Sequence, residues 1–262
     1  MGVINVTPDS FSDGGQFHDP AAAVAHGHRL LADGADWLDV GGESTRPGAA
    51  PVPELDELRR VIPVVEALAA GGARVSIDTR KPAVARAAVK AGATLLNDVG
   101  AANGAVAAEL GVAWAAMHAQ GDPATMQRDP RYGDVVAEVV AALVERADAA
   151  RAAGVPEVWI DPGIGFGKTY AHNLTLLVHL DELVATGYPV LVGTSRKGFL
   201  GAILGASDGG SEPACVGDRL EGSLATATWA MTCGAAMVRA HDVRATAHAA
   251  LVIGGQITKD AA

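Results

Sequence analysis

The sequence predicts a (β/α)8 barrel that spans residues 1–262 as one domain, and three observations carry that prediction. One phrase recurs seven times: an Ala-rich helical stretch ends at a Gly, a short apolar run follows, and polar residues close it. Those seven runs and the opening "GVINV" make eight strands separated by helical segments in 262 residues, the size and order of an eightfold barrel. Nearly every run ends in polar residues: Asn5, Asp39, Asp78, Asn97, His118, Asp161, Ser195, Arg239 and His241. In a barrel all such ends open on one face, where active sites are built. A doubly wound open sheet is the alternative architecture.

The elements follow in order. After "GVINV", a helix is predicted over about 19–33, and "LADGADWLDVGGES" carries the second strand. A helix over 53–70 leads to "LAAGGARVSIDTR", one over 81–91 to "VKAGATLLNDVG", and one over 102–110 to "AELGVAWAAMHAQ". The segment 131–153 precedes "RAAGVPEVWIDPG", and 171–186 precedes "LVATGYPVLVGTSR". Segments 196–204 and 216–233 lead to "MTCGAAMVRAHDV", and a last helix covers about 242–254. The Gly in each phrase is a helix C-cap. The apolar runs show no alternation, as expected of strands buried on both faces of a parallel sheet.

Composition bounds the function. Apolar residues make up 49% and charged residues 19%, enough for a sizeable core. A net charge of −10 argues against a broad nucleic-acid or anionic-membrane surface, which needs a basic stripe. It leaves room for small anionic substrates met by a few local Arg and Lys. Cys215 and Cys233 form neither a C-x-x-C pair nor a disulfide framework. Neither a signal peptide nor a membrane span is expected, so a soluble cytoplasmic protein is the default.

The stretch "IDPGIGFGKT" (160–169) ends like a Walker A loop, but Pro162 stands where that pattern needs its first Gly. A P-loop nucleotide hydrolase is therefore a poor fit. Asp161 at the strand end is the residue of interest. Gly163 and Gly165 are expected to let backbone approach a flat ring, and Lys168 and Thr169 are expected to be structural.

Asp78, Asn97 and Asp161 at strand ends could each be a helix cap or turn former. Together with Lys197 they allow two functional readings. A metal cage wants convergent carboxylates with His or water. A heterocycle edge wants a carboxylate for its N–H donors, an amide, and a cation for its carbonyl oxygen. Both stay open on these residues alone.

An anion site is suggested by "GGESTRPGA" (41–49) and by Arg239 and His241 in "VRAHDV", because Arg offers a forked donor to phosphate oxygens. The plain alternative is a surface loop and a structural Arg–Asp pair. "NVTPDSFSDGG" (5–15) is longer than the usual 2–6 residues of such a connection and is read as a lid. His118 in the long loop "MHAQGDPATMQRDPRY" is read as a structural hydrogen-bonder. Ser195 in "GTSRKGFLG" caps or opens a helix whose free N–H groups suit an anion. Neither a nucleophile elbow nor a Cys–His pair occurs, so covalent hydrolase chemistry is not expected.

Taken in order, "GVINVTPDSFSDGG", "DVGGESTRPGA", "SIDTRKPAVA", "NDV", "MHAQGDPATMQ", "DPGIGFGKT", "GTSRKGFLG", "RLEGSLATA" and "VRAHDV" resemble the dihydropteroate synthase family, from the first residue to about Val243. The resemblance implies a transferase on a (β/α)8 barrel. It would join (7,8-dihydropterin-6-yl)methyl diphosphate to 4-aminobenzoate with release of diphosphate. It implies that Asp78, Asn97, Asp161, Lys197 and Arg239 hold the pterin. Asn5, Thr45, Arg239 and His241 would contact the diphosphate, with Asn5 also a Mg²⁺ ligand. Arg46, Pro47, Phe166 and Ser195 would line the aminobenzoate site. Asn5, Thr45, Arg46, Lys197, Arg239 and His241 would form the catalytic set.

The resemblance also implies a homodimer through the late helices and competition by sulfonamide-type mimics. The sequence starts at the first strand, where family members carry a short preceding segment, so either a less well plugged barrel bottom or a misplaced start is expected. "GAANGAVAAELG" after "NDV" is shorter than in many members. The alternatives are a pterin-binding methyltransferase-type domain on the same barrel and a non-catalytic pterin or folate binder. The first has no reason to keep "STRPG", "SRK" or "PDSFSDG", and the second does not need Asn5, His241 or the first loop.

Overall fold

A computed structural model describes residues 1–7, 20–44, 51–100, 102–121 and 125–254. Strands and helices alternate as β1 (Gly2–Asn5), α1 (Pro20–Ala32), β2 (Leu38–Gly41), α2 (Glu54–Ala70), β3 (Val75–Asp78), α3 (Pro82–Lys90), β4 (Leu95–Val99), α4 (Gly104–Leu110) and β5 (Ala113–Met117). They continue as α5 (Val135–Ala152), β6 (Val158–Asp161), α6 (Tyr170–Val178), α7 (Leu180–Val184), β7 (Leu191–Val192), α8 (Gly198–Ser207), α9 (Leu220–Thr232), β8 (Met237–Val238) and α10 (Val243–Ile253).

Local chemistry sets the element ends. Each of the seven helix-to-strand turns carries a Gly at positive φ, from Gly34 (101°) to Gly234 (97°), where a side chain would be strained. The helix expected from residue 131 starts at Val135, because the Asp134 side chain accepts from Val136 N and Ala137 N and caps it there. The helix expected over 171–186 is two helices that break at His179. Thr169 and His172 make a reciprocal capping box at the start of α6.

β1 to β6 form a parallel sheet in chain order, and β7 pairs with β8. Two parallel bridges join these pieces, Ile160 with Val190 and Gly2 with Ala240. Ile160 N donates to Pro189 O at 3.0 Å across one joint, and Ala240 N donates to Met1 O at 2.9 Å across the other. The ring is therefore a closed (β/α)8 barrel, and the open-sheet alternative is set aside.

Two apolar layers hold it. Met1, Trp37, Leu95, Ala113, Ala115, Trp159 and Leu191 pack together inside the barrel. A larger cluster fills the space between strands and helices, with Ile4, Leu38, Val61, Leu68, Ile77, Leu96, Leu143, Ile160 and Leu180 among its buried members. Burying each such aliphatic side chain contributes roughly 1.5–3 kcal/mol. The bottom is not loosely plugged as expected. Trp37 and Trp159 are 5% and 8% exposed, and the Met1 ammonium donates to Val238 O at 2.9 Å.

Above this floor the interior turns polar. Register places Asp39 beside Val3 and Ser76, and Asp78 beside Gly41 and Asn97. The strand ends thus deliver their polar side chains to one rim.

Candidate active site at the C-terminal rim

Arg239, just past β8, reaches across the barrel to two carboxylates. Its Nε donates to Asp39 Oδ2 at 2.6 Å and its Nη2 to Asp78 Oδ2 at 3.0 Å. Asn97 Nδ2 donates to Asp39 Oδ2 at 3.0 Å. One guanidinium is shared by two buried acids, so acceptor capacity is left over. Asp39 Oδ1 and Asp78 Oδ1 are buried without a hydrogen-bond partner among the described residues. A buried acceptor left unmade costs about 1–3 kcal/mol, which marks where donors from outside belong. Burial pushes the Asp78 carboxyl up to about 7, against the pull of the Arg239 guanidinium.

Asp161 forms the second part of the floor. Its Oδ1 accepts from Gly163 N at 2.7 Å. Burial raises its pKa, opposed first by Lys197. Lys197 donates to Ile164 O, and its Nζ lies 4.8 Å above the centre of the Phe166 ring. Burial lowers its amine to about 8, and the Asp161 carboxylate opposes that.

The third part joins the ends of β7 and β8. Ser195 Oγ accepts from His241 N at 3.1 Å and lies 3.0 Å from His241 Nδ1. Arg196 has φ of 59°, a strained value for a residue with a side chain, and its guanidinium grips Asp242 through two bonds of 3.0 and 2.6 Å. Asn5, the last residue of β1, pairs in register with Gly41 on the same rim.

The sequence-predicted residues Asp78, Asn97, Asp161, Lys197, Arg239, His241, Ser195, Phe166 and Asn5 are thus placed around one mouth by six different strands. Ser195 is bonded to His241, so the expected aminobenzoate and diphosphate sides meet there. Thr45, Arg46 and Pro47 lie outside the described residues, as does most of the expected lid.

The sequence places Asp39 at the rim without a role, whereas in the structure it holds Arg239. The available signal was an acid inside the apolar run "WLDVG". Gly163 has a role other than the one expected. At φ of 63°, a Cβ on it would lie 1.8 Å from His118 O, so it admits the neighbouring loop and not a ring. His118 is structural in its bonding, with its Nδ1 3.0 Å from Lys168 Nζ.

A closed (β/α)8 barrel with buried carboxylates, an amide and two cations at its C-terminal mouth is an enzyme scaffold for a small, donor-rich polar substrate. Residues 1–241 match the family described as pterin binding enzyme, and the chain belongs to that family. It is 50% identical to a dihydropteroate synthase of Mycobacterium leprae, over 97% of this chain and 92% of the relative. A solved dihydropteroate synthase of Xanthomonas albilineans with 4-aminobenzoic acid is 48% identical, with a TM-score of 0.89, over 98% of this chain and 92% of that one. Another from Xanthomonas albilineans, in complex with 7,8-dihydropteroate, is 45% identical, with a TM-score of 0.85 and the same coverage.

Proposed function

We infer that the chain is a transferase of folate biosynthesis. It condenses (7,8-dihydropterin-6-yl)methyl diphosphate with 4-aminobenzoate and yields 7,8-dihydropteroate and diphosphate. One observation carries the reading most directly: a spare buried oxygen on Asp78, beside Asn97, in a barrel closed below by apolar side chains. Pterin rings present adjacent N–H donors and a carbonyl oxygen. Asp78 and Asp161 accept the donors, and Lys197 and Asn97 supply donors in return.

The aminobenzoate nitrogen attacks the exocyclic CH₂. The C–N bond forms, the C–O bond to diphosphate breaks, and the amine releases a proton. An arylamine is neutral near pH 7, so no strong general base is required. Arg239 and His241 face the departing diphosphate, where positive groups stabilise developing charge. Arg46, Pro47, Phe166 and Ser195 enclose the aminobenzoate, and Thr45 joins the diphosphate side.

Mg²⁺ is part of this proposal. Among the described residues no group of three or more acids, His or Cys could hold a metal. The donor set still fits, because Mg²⁺ is commonly held by one or two protein oxygens with substrate phosphates and water. Asn5 offers that oxygen at the rim. The ion would neutralise diphosphate charge when bound.

We further propose a homodimer on one apolar face. Tyr170, Leu174 and Val178 recur at every fourth position of α6, with Val178 61% exposed. Trp229 on α9 is 48% exposed, and its Nε1 donates to Leu177 O at 2.6 Å. No helix among the described residues is long and apolar enough to cross a membrane. We place the enzyme in the cytoplasm and read residues 1–262 as one barrel domain. Neither nucleic acid nor membrane is a proposed partner.

The test is diphosphate release in the presence of both substrates and Mg²⁺. Release that depends on 4-aminobenzoate, and is competed by sulfonamide-type mimics, is expected. A pterin-binding methyltransferase releases none. Tight pterin-diphosphate binding without turnover at any Mg²⁺ level identifies a binder and ends the catalytic reading.

A further inference from the structure

The pair Gly167-Lys168 ends the stretch that first looks like a nucleotide loop, and nothing in the proposed chemistry uses the lysine. Its surroundings give it a task. Lys168 is only 2% exposed. Its Nζ donates to Gly163 O and Phe166 O, both at 3.1 Å, and to His118 O at 3.3 Å, and it lies 3.0 Å from His118 Nδ1. Two of those carbonyls belong to the loop between β6 and α6. The His118 groups belong to the loop after β5. The amino group therefore fills the seam where the two loops touch, the place that leaves no room for a Cβ on Gly163.

The loop 163–167 has every carbonyl committed. Gly163 O accepts from Lys168 and from Phe166 N, and Phe166 O accepts from Lys168. Ile164 O accepts from Lys197, Gly165 O from Gln127 Nε2, and Gly167 O from the Tyr132 hydroxyl at 2.9 Å. Of these donors, Lys168 alone is buried on every side and bonds the loop twice. The loop has no helix or strand bonds of its own, so its shape depends on such side chains. That shape decides where Phe166 stands and where Ile164 O holds Lys197.

We propose that Lys168 is a positioning residue for the second substrate: its amino group fixes the β6–α6 loop so that Phe166 forms one wall of the 4-aminobenzoate pocket. The proposal rests on the reading of the reaction given above. Lys168 touches neither substrate in it. On the pterin side Asp161 and Lys197 also meet this loop, through Gly163 N and Ile164 O, but Asp78 and Asn97 stand on β3 and β4 away from it, so the pterin side depends on Lys168 less.

Lys168→Met keeps the aliphatic stem and removes the donors. In the full-length protein with Mg²⁺ and both substrates, the KM for 4-aminobenzoate should rise at least tenfold. The KM for the pterin diphosphate should change less than threefold. Hydrogen exchange without substrates should show the Gly165 and Phe166 amides exchanging at least tenfold faster. Equal rises in both KM values, or an unchanged aminobenzoate KM with a lower melting temperature, overturn the proposal. If Lys168→Met does not fold, His118→Leu removes one contact and keeps the lysine. It should shift the two KM values apart in the same sense by about threefold, and an unchanged ratio overturns the proposal. If the wild type releases no diphosphate, the reaction itself has been misread. The exchange rates then decide the anchoring alone, and unchanged loop amides sink it.

Discussion

Two clusters of buried charge lie side by side near the C-terminal ends of the strands, and they are finished differently. On the α2 side, where β2, α2 and β3 meet, Glu57 Oε1 accepts from Thr79 Oγ1 at 2.6 Å and its Oε2 from Lys81. Glu43 Oε1 accepts from Arg80 at 2.8 Å, and its Oε2 from Lys81 and from Val52 N. Every carboxylate oxygen there has a partner. Inside, Asp39 and Asp78 share one Arg239, and each keeps a buried oxygen without a partner among the described residues. The outer cluster is complete without a ligand, so it serves the fold. The inner cluster is complete only when donors arrive, so it serves binding. Burial alone does not separate the two, since Glu57 and Asp39 are both essentially inaccessible.

The largest expected effect tests the outer cluster. Lys81→Met leaves Glu57 buried and unpaired, and should cost about 3 kcal/mol of stability in urea unfolding. Pterin-diphosphate affinity should stay within about twofold, because none of the hydrogen bonds of Lys81 reaches Asp39, Asp78 or Arg239. A large affinity loss at intact stability would erase the distinction between the clusters.

Asp78→Asn tests the inner cluster. It keeps the shape and an acceptor for Arg239 but removes the charge, and should weaken pterin-diphosphate binding by about 2 kcal/mol, roughly 30-fold. The melting temperature should stay level or rise, because a desolvated charge is gone. Unchanged binding by isothermal calorimetry would refute the ligand role of its spare oxygen.

Arg46→Ala addresses the loop whose stems Glu43 ties together through Val52 N. The aminobenzoate KM should rise about tenfold, and the pterin KM less. The reverse ranking would contradict the proposed assignment of that loop.

The pH dependence is smaller. Asp78 keeps its proton to about 7 in the folded state, far above its ordinary value. Its contribution to stability is therefore present at low pH and is lost as pH rises from about 4 through about 7. Binding that needs the carboxylate strengthens over the upper part of that window. Lys197 loses its proton from about 8 upward. Pterin affinity should peak between about 7 and 8, and Asp78→Asn should remove the acidic limb. A flat profile would count against both groups. The smallest effect sits on the surface: Arg86 and Glu109 are paired at 2.6 Å but are 45% and 54% exposed. Arg86→Ala should leave the melting temperature unchanged within error.

Much of this was legible without coordinates. The Gly that ends each helix and the unbroken apolar runs announce eight βα units, because they report local backbone and burial needs that short segments carry by themselves. Asp78, Asn97, Asp161, Lys197, Arg239 and His241 were legible because a polar residue closing an apolar run in a barrel has one place to go. Asp39 is legible as a rim residue, but its role is not, because its partner Arg239 lies 200 positions away. Lys168 is expected to be structural, but what it holds is not legible, because most of its partners are backbone carbonyls, which no sequence pattern displays. His179 breaks a helix that the apolar pattern alone would continue.

The sequence by itself determined the element order, the barrel class and the set of polar residues at its mouth, since these follow from propensity, period and position along each strand. The tertiary structure alone decided which carboxylate oxygens are satisfied and which are left open. That outcome depends on a single guanidinium reaching both Asp39 and Asp78, and on Lys81 reaching both Glu43 and Glu57. Hydrogen bonds are counted atom by atom between distant residues, and only the closed ring brings those atoms within 3 Å of one another.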